Sequence, residues 1–301
     1  MNILLFNSYY SFSFLFLIGL AVGSFLNVVS FRYQPSRKTW EKEVFWGRSH
    51  CLFCKKKLSW YELIPLLSFL IQGGKCRSCK NRISFQYPVV ELLGGLIFVL
   101  VPLFLKNFFF YFPPLASWIW VFAAFLWILV LLDLLLVFLI DLKHYLIPNI
   151  LNLLLLVLAV AWIFLGTQGR IFENSFAGSF LKSFSAIFPT IENVWLAHLA
   201  GALVGGIFFL LIVLLSAGKA MGMGDVKLIF ALGLLFGWPD ILLIIFVAFI
   251  LGALVSLILI LLGKKKVSDL VPFGPFIVLA AVATFFFGAK ILSLYFAIIG
   301  M

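Results

Sequence analysis

Residues 117–140 read SWIWVFAAFLWILVLLDLLLVFLI, 24 positions with a single charged side chain, Asp133. An α-helix rises about 1.5 Å per residue and the hydrocarbon core of a bilayer is about 30 Å thick, so this run is long enough to cross it. Seven more stretches meet or nearly meet the same test: 10–31, 88–105, 149–166, 195–216, 226–238, 240–262 and 271–298. The sixth of the eight, 226–238, is short. It is joined to the next by Gly237-Trp238-Pro239-Asp240, which predicts a helical hairpin. The expected fold is an all-α polytopic membrane protein of about eight transmembrane helices.

Composition points the same way. Of 301 residues, 64% are hydrophobic and 11% charged, against roughly 45–50% and 25% in soluble domains. A secreted, nucleoplasmic or purely cytosolic protein is excluded. The net charge of +11, from 22 basic and 11 acidic residues, would point to nucleic acid in a soluble protein. In a membrane protein it reports topology, so no nucleic-acid partner is expected. The first span is not expected to be a removable signal peptide, since Met1 to Tyr10 holds no Lys or Arg. No internal repeat and no coiled-coil heptad is visible.

Sorting the basic residues by side gives an orientation. If 32–87 is cytoplasmic, so are 142–148, 217–227 and 263–270, with Lys plus Arg counts of 12, 1, 2 and 3. Eighteen basic residues then face one compartment, against Lys106, Arg170, Lys182 and Lys290 on the other. This positive-inside bias places both termini outside. The outer loop 167–194 is expected to lie on the membrane surface. The chain is thus expected to comprise a first transmembrane helix (1–31), a cytoplasmic insert (32–87) and a transmembrane core (88–301).

The insert contains Cys51-Leu52-Phe53-Cys54 and Cys76-Arg77-Ser78-Cys79, with 21 residues between the pairs. Two CxxC pairs read as a tetrahedral zinc site with all four positions filled by thiolates, hence structural rather than catalytic. A redox dithiol pair or two disulfides would use the same residues, but a reducing compartment disfavours disulfides. His50 is a bystander to the complete set. The insert's basic residues can also hold it against anionic membrane lipids, at about 1 kcal/mol each.

Carboxylates at a membrane edge are costly and therefore functional suspects. Asp141 closes the third stretch and Asp225 opens the sixth, in Gly222-Met223-Gly224-Asp225-Val226-Lys227. The topology sets both at the same depth, at the cytoplasmic ends of their helices. Two carboxyls that meet can share a proton, one acting as base toward water while the other donates to a carbonyl oxygen. Gly222 and Gly224 suit close approach of a substrate strand and unusual backbone angles. The plainer account of the motif is an N-capping Asp after a flexible turn. Lys227 and His144, flanking the acids, read as interfacial side chains. Asp133 lies about 12 Å along the helix from Asp141 and near 80° round it, too far to serve one centre. It reads as a buried polar residue or a proton-path residue. His198 lies at the outer end of its helix. A different class, a proton-coupled transporter using Asp133, Asp141 and Asp225, would demand polar residues deep at the midplane and a repeated half. Only Asp133 meets the first demand.

Taken together the motifs resemble the type IV prepilin peptidases. The resemblance runs through Gly23-Ser24-Phe25-Leu26-Asn27, the two CxxC pairs, Ser59-Trp60-Tyr61-Glu62-Leu63-Ile64-Pro65 and Ile83-Ser84-Phe85-Gln86-Tyr87-Pro88-Val89-Val90-Glu91. It continues in Asp141 with Ile147-Pro148-Asn149, in Gly222 to Lys227, and in Pro272-Phe273-Gly274-Pro275-Phe276. It implies a multi-pass protein of the bacterial inner membrane that removes a short basic leader from prepilins or pseudopilins at the cytoplasmic face, with Asp141 and Asp225 as the catalytic acids. It also implies N-methylation of the new terminus with S-adenosylmethionine, an activity associated in the family with residues near the Gly23-Ser24-Phe25-Leu26-Asn27 motif and the cytoplasmic insert, although spacing does not identify the cofactor site. The family contains members without the cysteines, in agreement with a structural metal. Lys143, His144 and Tyr145 stand where the family is often more acidic, and the loop 167–194 is long. Glu41, Glu43, Glu62 and Glu91 are the local counter-charges for a basic leader. A presenilin-type protease also uses GxGD, but would show a Tyr before the first acid and a Pro-Ala-Leu motif; here Ile140 precedes Asp141 and that motif is absent.

Overall fold

The computed structural model describes residues 9–35, 47–108, 117–168, 171–172, 178–181, 184, 187–188, 191–266 and 269–299. Glu41 and Glu43 lie outside the described residues. The regular elements among the described residues are helices, and the only β features among them are two isolated bridges. The helices are α1 (Tyr9–Arg32), α2 (Leu67–Ile71), α3 (Gln86–Phe108), α4 (Ser117–His144), α5 (Asn149–Gln168), α6 (Val194–Leu215), α7 (Met223–Phe236), α8 (Asp240–Leu261) and α9 (Gly274–Ile299), with a 3-10 turn at Trp60–Leu63. Each of the eight apolar stretches forms one helix. Seven are long and apolar enough to cross a membrane. The short stretch is α7, whose 14 residues reach about 21 Å and so fall short of the hydrocarbon thickness.

The chain divides into two compact units, Met1–Phe104 and Leu105–Met301. In the first, α1 and the N-terminal part of α3 meet at a glycine seam. Gly19 and Gly23 stand one turn apart on α1, and a Cβ on Gly19 would fall 2.5 Å from the Gly94 carbonyl oxygen. Such small residues let helix backbones touch where water gives no hydrophobic drive to association. Further along, buried Asn27 donates to the Tyr87 carbonyl (3.2 Å) and accepts from the Gln86 side chain (3.2 Å). Gly23 and Asn27 of the Gly23-Ser24-Phe25-Leu26-Asn27 motif thus lie on the packing face between these two helices, while Phe25 is exposed.

In the second unit α4 is the central helix. It is apolar all round, as a helix enclosed by others must be, and no side chain from Leu126 to Asp141 is exposed. Fully buried Trp127 contacts Trp162 of α5, Phe236 of α7, Phe285 of α9 and Phe180 at ring-centroid distances of 4.3–5.5 Å. Helices α6 and α7 pack backbone against backbone: a Cβ on Gly201 would lie 2.5 Å from the carbonyl carbon of Gly237, and one on Gly233 2.7 Å from Cα of Ala202.

Two expectations are corrected. Several described residues of the 167–194 loop are not laid on a surface, although Ile187 is 58% exposed. Ile171, Phe172, Phe180 and Leu181 are buried within the second unit, where Phe172 packs on Trp162 at 5.4 Å and Phe180 joins the Trp127 cluster. Aromatic side chains in a long loop bury more apolar area by entering a bundle than by covering it. Secondly, an internal repeat does exist, inside the insert. Cys51 N–H donates to the Lys56 carbonyl, Lys55 N–H to that of Cys51 and Leu58 N–H to that of Ser49; Cys76, Lys80 and Ile83 repeat this with Asn81, Cys76 and Gly74. The two bridges, His50 with Lys57 and Lys75 with Arg82, and the positive φ of Lys55 (59°) and Lys80 (60°) follow the same offset of 25 residues. In the letters only Cys-x-x-Cys-Lys is shared, Cys51, Cys54 and Lys55 matching Cys76, Cys79 and Lys80, so most of the repeat lies in the backbone.

Candidate active site

Asp141 stands in the last turn of α4 and Asp225 in the first turn of α7, and both are nearly buried, 4% and 9% exposed. Asp225 occupies the third position of its helix, where its Oδ2 accepts the Gly222 backbone N–H at 3.2 Å. The N-cap position itself belongs to Gly222, so Asp225 is not the N-capping residue of the plainer account but bonds back to it from the third position. Asp141 accepts the backbone N–H of Gly274, the first residue of α9, while its Oδ2 has no hydrogen-bond partner among the described residues. Each acid is therefore held by an N–H at the positive end of a helix, which stabilises one negative charge in a poorly solvated place.

Ile147 joins the two halves. A Cβ on Gly274 would lie 2.5 Å from Asp141 Oδ2 and 3.2 Å from Ile147 Cδ1, and a Cβ on Gly224 would lie 3.3 Å from Ile147 Cβ. The structure thus brings Asp141, Ile147, Gly224, Asp225 and Gly274 into one cluster, in which the Asp141 charge acts on Asp225. Gly222 sits at φ −88°, ψ 158°, extended backbone open to any residue, so unusual angles are not what it supplies. Gly224 serves close approach, toward Ile147. The Lys227 ammonium reaches away to Asn149 Oδ1 at 2.8 Å, tying α7 to α5. Asp133 is 4% exposed in the middle of α4, with both oxygens lacking hydrogen-bond partners among the described residues. Two such carboxyls as Asp141 and Asp225 can share one proton and perform acid and base work together.

Sequence reading missed Asp240. It is fully buried at the start of α8 and accepts from the Ser179 hydroxyl and, at 2.7 Å, from the Phe180 N–H. It pins the buried loop to the α7–α8 corner, where Trp238–Pro239 is cis and Nδ1 of His198 bonds to the Leu234 carbonyl at 2.8 Å. Its place directly after the Trp-Pro pair, in an otherwise apolar hairpin, was the available signal.

In the first unit the four cysteines converge. Their sulfurs all lie within 4.8 Å of one another, with Cys51 and Cys79 at 3.8 Å and no disulfide formed. Four thiolates at about 2.3 Å from one ion stand about 3.8 Å apart, so the cluster can hold a metal ion. The N–H groups of Cys79 and Ser78 bring the Cys76 thiol down to about 7. Cys79 is pushed up to about 11, against the N–H of Asn81, by burial and by its thiol neighbours. One thiolate discourages the next until a cation arrives. Lys56 also bridges the two knuckles through Ser78, at 2.8 Å. His50 faces the Arg48 carbonyl and is outside the ligand set.

Residues 17–105 match the model of the bacterial peptidase A24 N-terminal domain, and residues 128–257 that of the type IV leader peptidase family. A prepilin leader peptidase/N-methyltransferase of Aeromonas hydrophila is 31% identical, over 94% of this chain and 93% of the relative. Those of Bacillus subtilis and Pseudomonas aeruginosa are each 30% identical, over 94% of this chain and 97% and 93% of their own lengths. No solved structure matches the chain. Since relatives of this identity span both units end to end, the chain belongs to the type IV leader peptidase family.

Proposed function

We propose that this multi-pass membrane protein cleaves the basic leader from type IV prepilins or pseudopilins by a two-aspartate mechanism at the cytoplasmic face of the bacterial inner membrane. The observation that carries the reading is the cluster of Asp141 and Asp225 about Ile147 and Gly274. With one proton between them, the ionised carboxyl takes a proton from water as the water attacks the scissile carbonyl, and its protonated partner donates to the carbonyl oxygen. No covalent intermediate is needed. A substrate helix whose basic leader stays in the cytoplasm brings its scissile bond to the membrane edge, the level at which the fifteen basic residues of 32–87, 142–148 and 217–227 put both acids.

The second activity follows the relatives' name: methylation of the newly exposed amine, with S-adenosylmethionine as methyl donor. The four thiols take zinc in a structural role, since a complete tetrahedral set leaves no position for water. The test is incubation of the purified protein with a prepilin, read by mass spectrometry, beside Asp141→Asn and Asp225→Asn. Loss of cleavage in both variants supports the dyad, and full cleavage by either overturns it. A gain of one methyl on the mature product, only with S-adenosylmethionine added, supports the second activity.

A further inference from the structure

A groove of about 570 Å³ opens on the second unit between α5, α6 and α7. Helices α5 and α6 both pack against α7 but touch each other only slightly. The floor is therefore α7, with Val226 and Phe230, and the walls are Leu153 and Leu156 of α5 and Leu203 and Ile207 of α6. Leu153, Leu203 and Ile207 are all exposed, so the groove is open along its side. On α5 its lining runs from Asn149 to Leu156, about 10 Å at 1.5 Å per residue. At the Asn149 end lies Lys227, bonded to it, and Val226 and Lys227 directly follow Asp225 in the chain. We infer that this groove seats the apolar helix of the prepilin beyond the scissile bond, with Asn152 as a positioning residue for the end of that helix; the inference rests on the peptidase reading above.

Asn152 decides the occupant. It lines the groove, is 3% exposed, and neither its amide nitrogen nor its amide oxygen has a hydrogen-bond partner among the described residues. An amide left so in apolar surroundings is costly. A lipid acyl chain would match the leucines but offers the amide nothing, whereas a helix end offers both of the groups it lacks. A peptide carbonyl inside a helix is bonded to an N–H four residues on, so the scissile bond is open to attack only where the helix has unwound. The helix that continues beyond the cut then begins with four N–H groups that have no partner within it, and at membrane depth protein must satisfy them. The Asn152 oxygen accepts from one of these, and its nitrogen donates to a carbonyl of the unwound stretch. Asn is among the best N-capping residues within proteins; here it caps a helix of another chain. The spacing agrees. Asn152 stands about 4.5 Å into α5 from Asn149, so a helix that begins there leaves its extended residues at the mouth, on the side of Asp225.

The experiment uses the full chain in nanodiscs of phosphatidylethanolamine and phosphatidylglycerol, with a purified prepilin as substrate. Values of kcat and KM for cleavage, and the melting temperature, are measured for wild type and Asn152→Leu. Removing a buried amide that has no partner in the folded protein should hold or raise the melting temperature. In the same variant kcat/KM should fall about tenfold, the worth of a group left unmet, and the loss should appear in KM because the helix stays seated throughout the reaction. In parallel, photoreactive p-benzoylphenylalanine takes the place of Leu203 in the groove, or of exposed Leu254 on α8 outside it, in the Asp141→Asn protein, which is expected to hold prepilin uncut. After irradiation the adducts are identified by mass spectrometry. The expected adduct joins position 203, and not 254, to the apolar segment of the prepilin. Unchanged kcat/KM in Asn152→Leu, a melting temperature lowered by that change, or adducts at 203 with lipid alone each overturn the groove assignment while wild-type cleavage stands. Wild type that leaves prepilin uncut overturns the peptidase reading, and this inference with it.

Discussion

The backbone N–H of Gly274 donates to the carboxylate of Asp141, so closely that a Cβ at position 274 would fall 2.5 Å from Asp141 Oδ2. A glycine at the start of α9 thereby sets where the acid at the end of α4 can stand. The Pro272-Phe273-Gly274-Pro275 segment contributes this contact without any ionisable group of its own.

Gly274→Ala is expected to push the Asp141 carboxyl aside. The obstructing atom is the end of a side chain, so stability changes little while geometry at the acid is lost. A fall in kcat/KM for prepilin cleavage of about 10²-fold, with melting temperature held, is the expected outcome. A variant as active as wild type would show that Asp141 tolerates the displacement.

Asp133→Asn is expected to retain cleavage, since the residue sits about 12 Å along α4 from Asp141. The comparison with Asp141→Asn, expected to lose about 10²–10⁴-fold or more, separates a structural carboxyl from a reacting one in a single cleavage assay.

Asp240→Ala removes the acceptor for the Ser179 hydroxyl and the Phe180 N–H. Stranding buried donors costs about 1–3 kcal/mol. The melting temperature in detergent should drop further for Asp240→Ala than for Ser179→Ala, because the serine variant keeps the N–H bond to Phe180.

Gly233→Leu is expected to prevent α6 and α7 from meeting, since a Cβ there would face the Ala202 Cα at 2.7 Å and backbone cannot give way. Overpacking of this kind typically costs about 1–3 kcal/mol, and more where backbone is the obstacle. The readout is the yield of monodisperse protein after extraction. Leu at Gly73, where nothing lies within 4 Å, tests a glycine held by φ alone.

Cys76→Ser should abolish metal content and open the segment 47–85 to limited proteolysis, because two knuckles joined by bridges and a few hydrogen bonds bury little surface of their own. Chelation of wild type should reproduce the same cleavage pattern. An insert equally resistant with and without metal would argue against a structural ion.

Much of the helical plan was legible in single stretches. The apolar run at 117–140 became α4, and the short stretch before Trp238-Pro239 became a helix too short to span. The cysteine spacing led to a real cluster because CxxC is a local geometry. The burial of Phe172 in the loop 167–194 was not legible because it depends on Gly166 and Gly178, against which its ring lies. The repeat in the insert escaped notice because, beyond Cys-x-x-Cys-Lys, it consists of hydrogen bonds and φ angles shared by unlike side chains.

By itself the sequence determined which segments are apolar enough to span, how the basic residues divide among the segments between them and which few acids sit at helix ends, because these depend on run length and residue type alone. Only the tertiary structure decided that Ile147, Gly224 and Gly274 gather around Asp141 and that Asp240 holds a buried loop. The reason is physical: each of these rests on backbones meeting where a Cβ is absent, or on a buried carboxyl finding a distant N–H. Both are contacts between segments far apart in the chain, which no local pattern records.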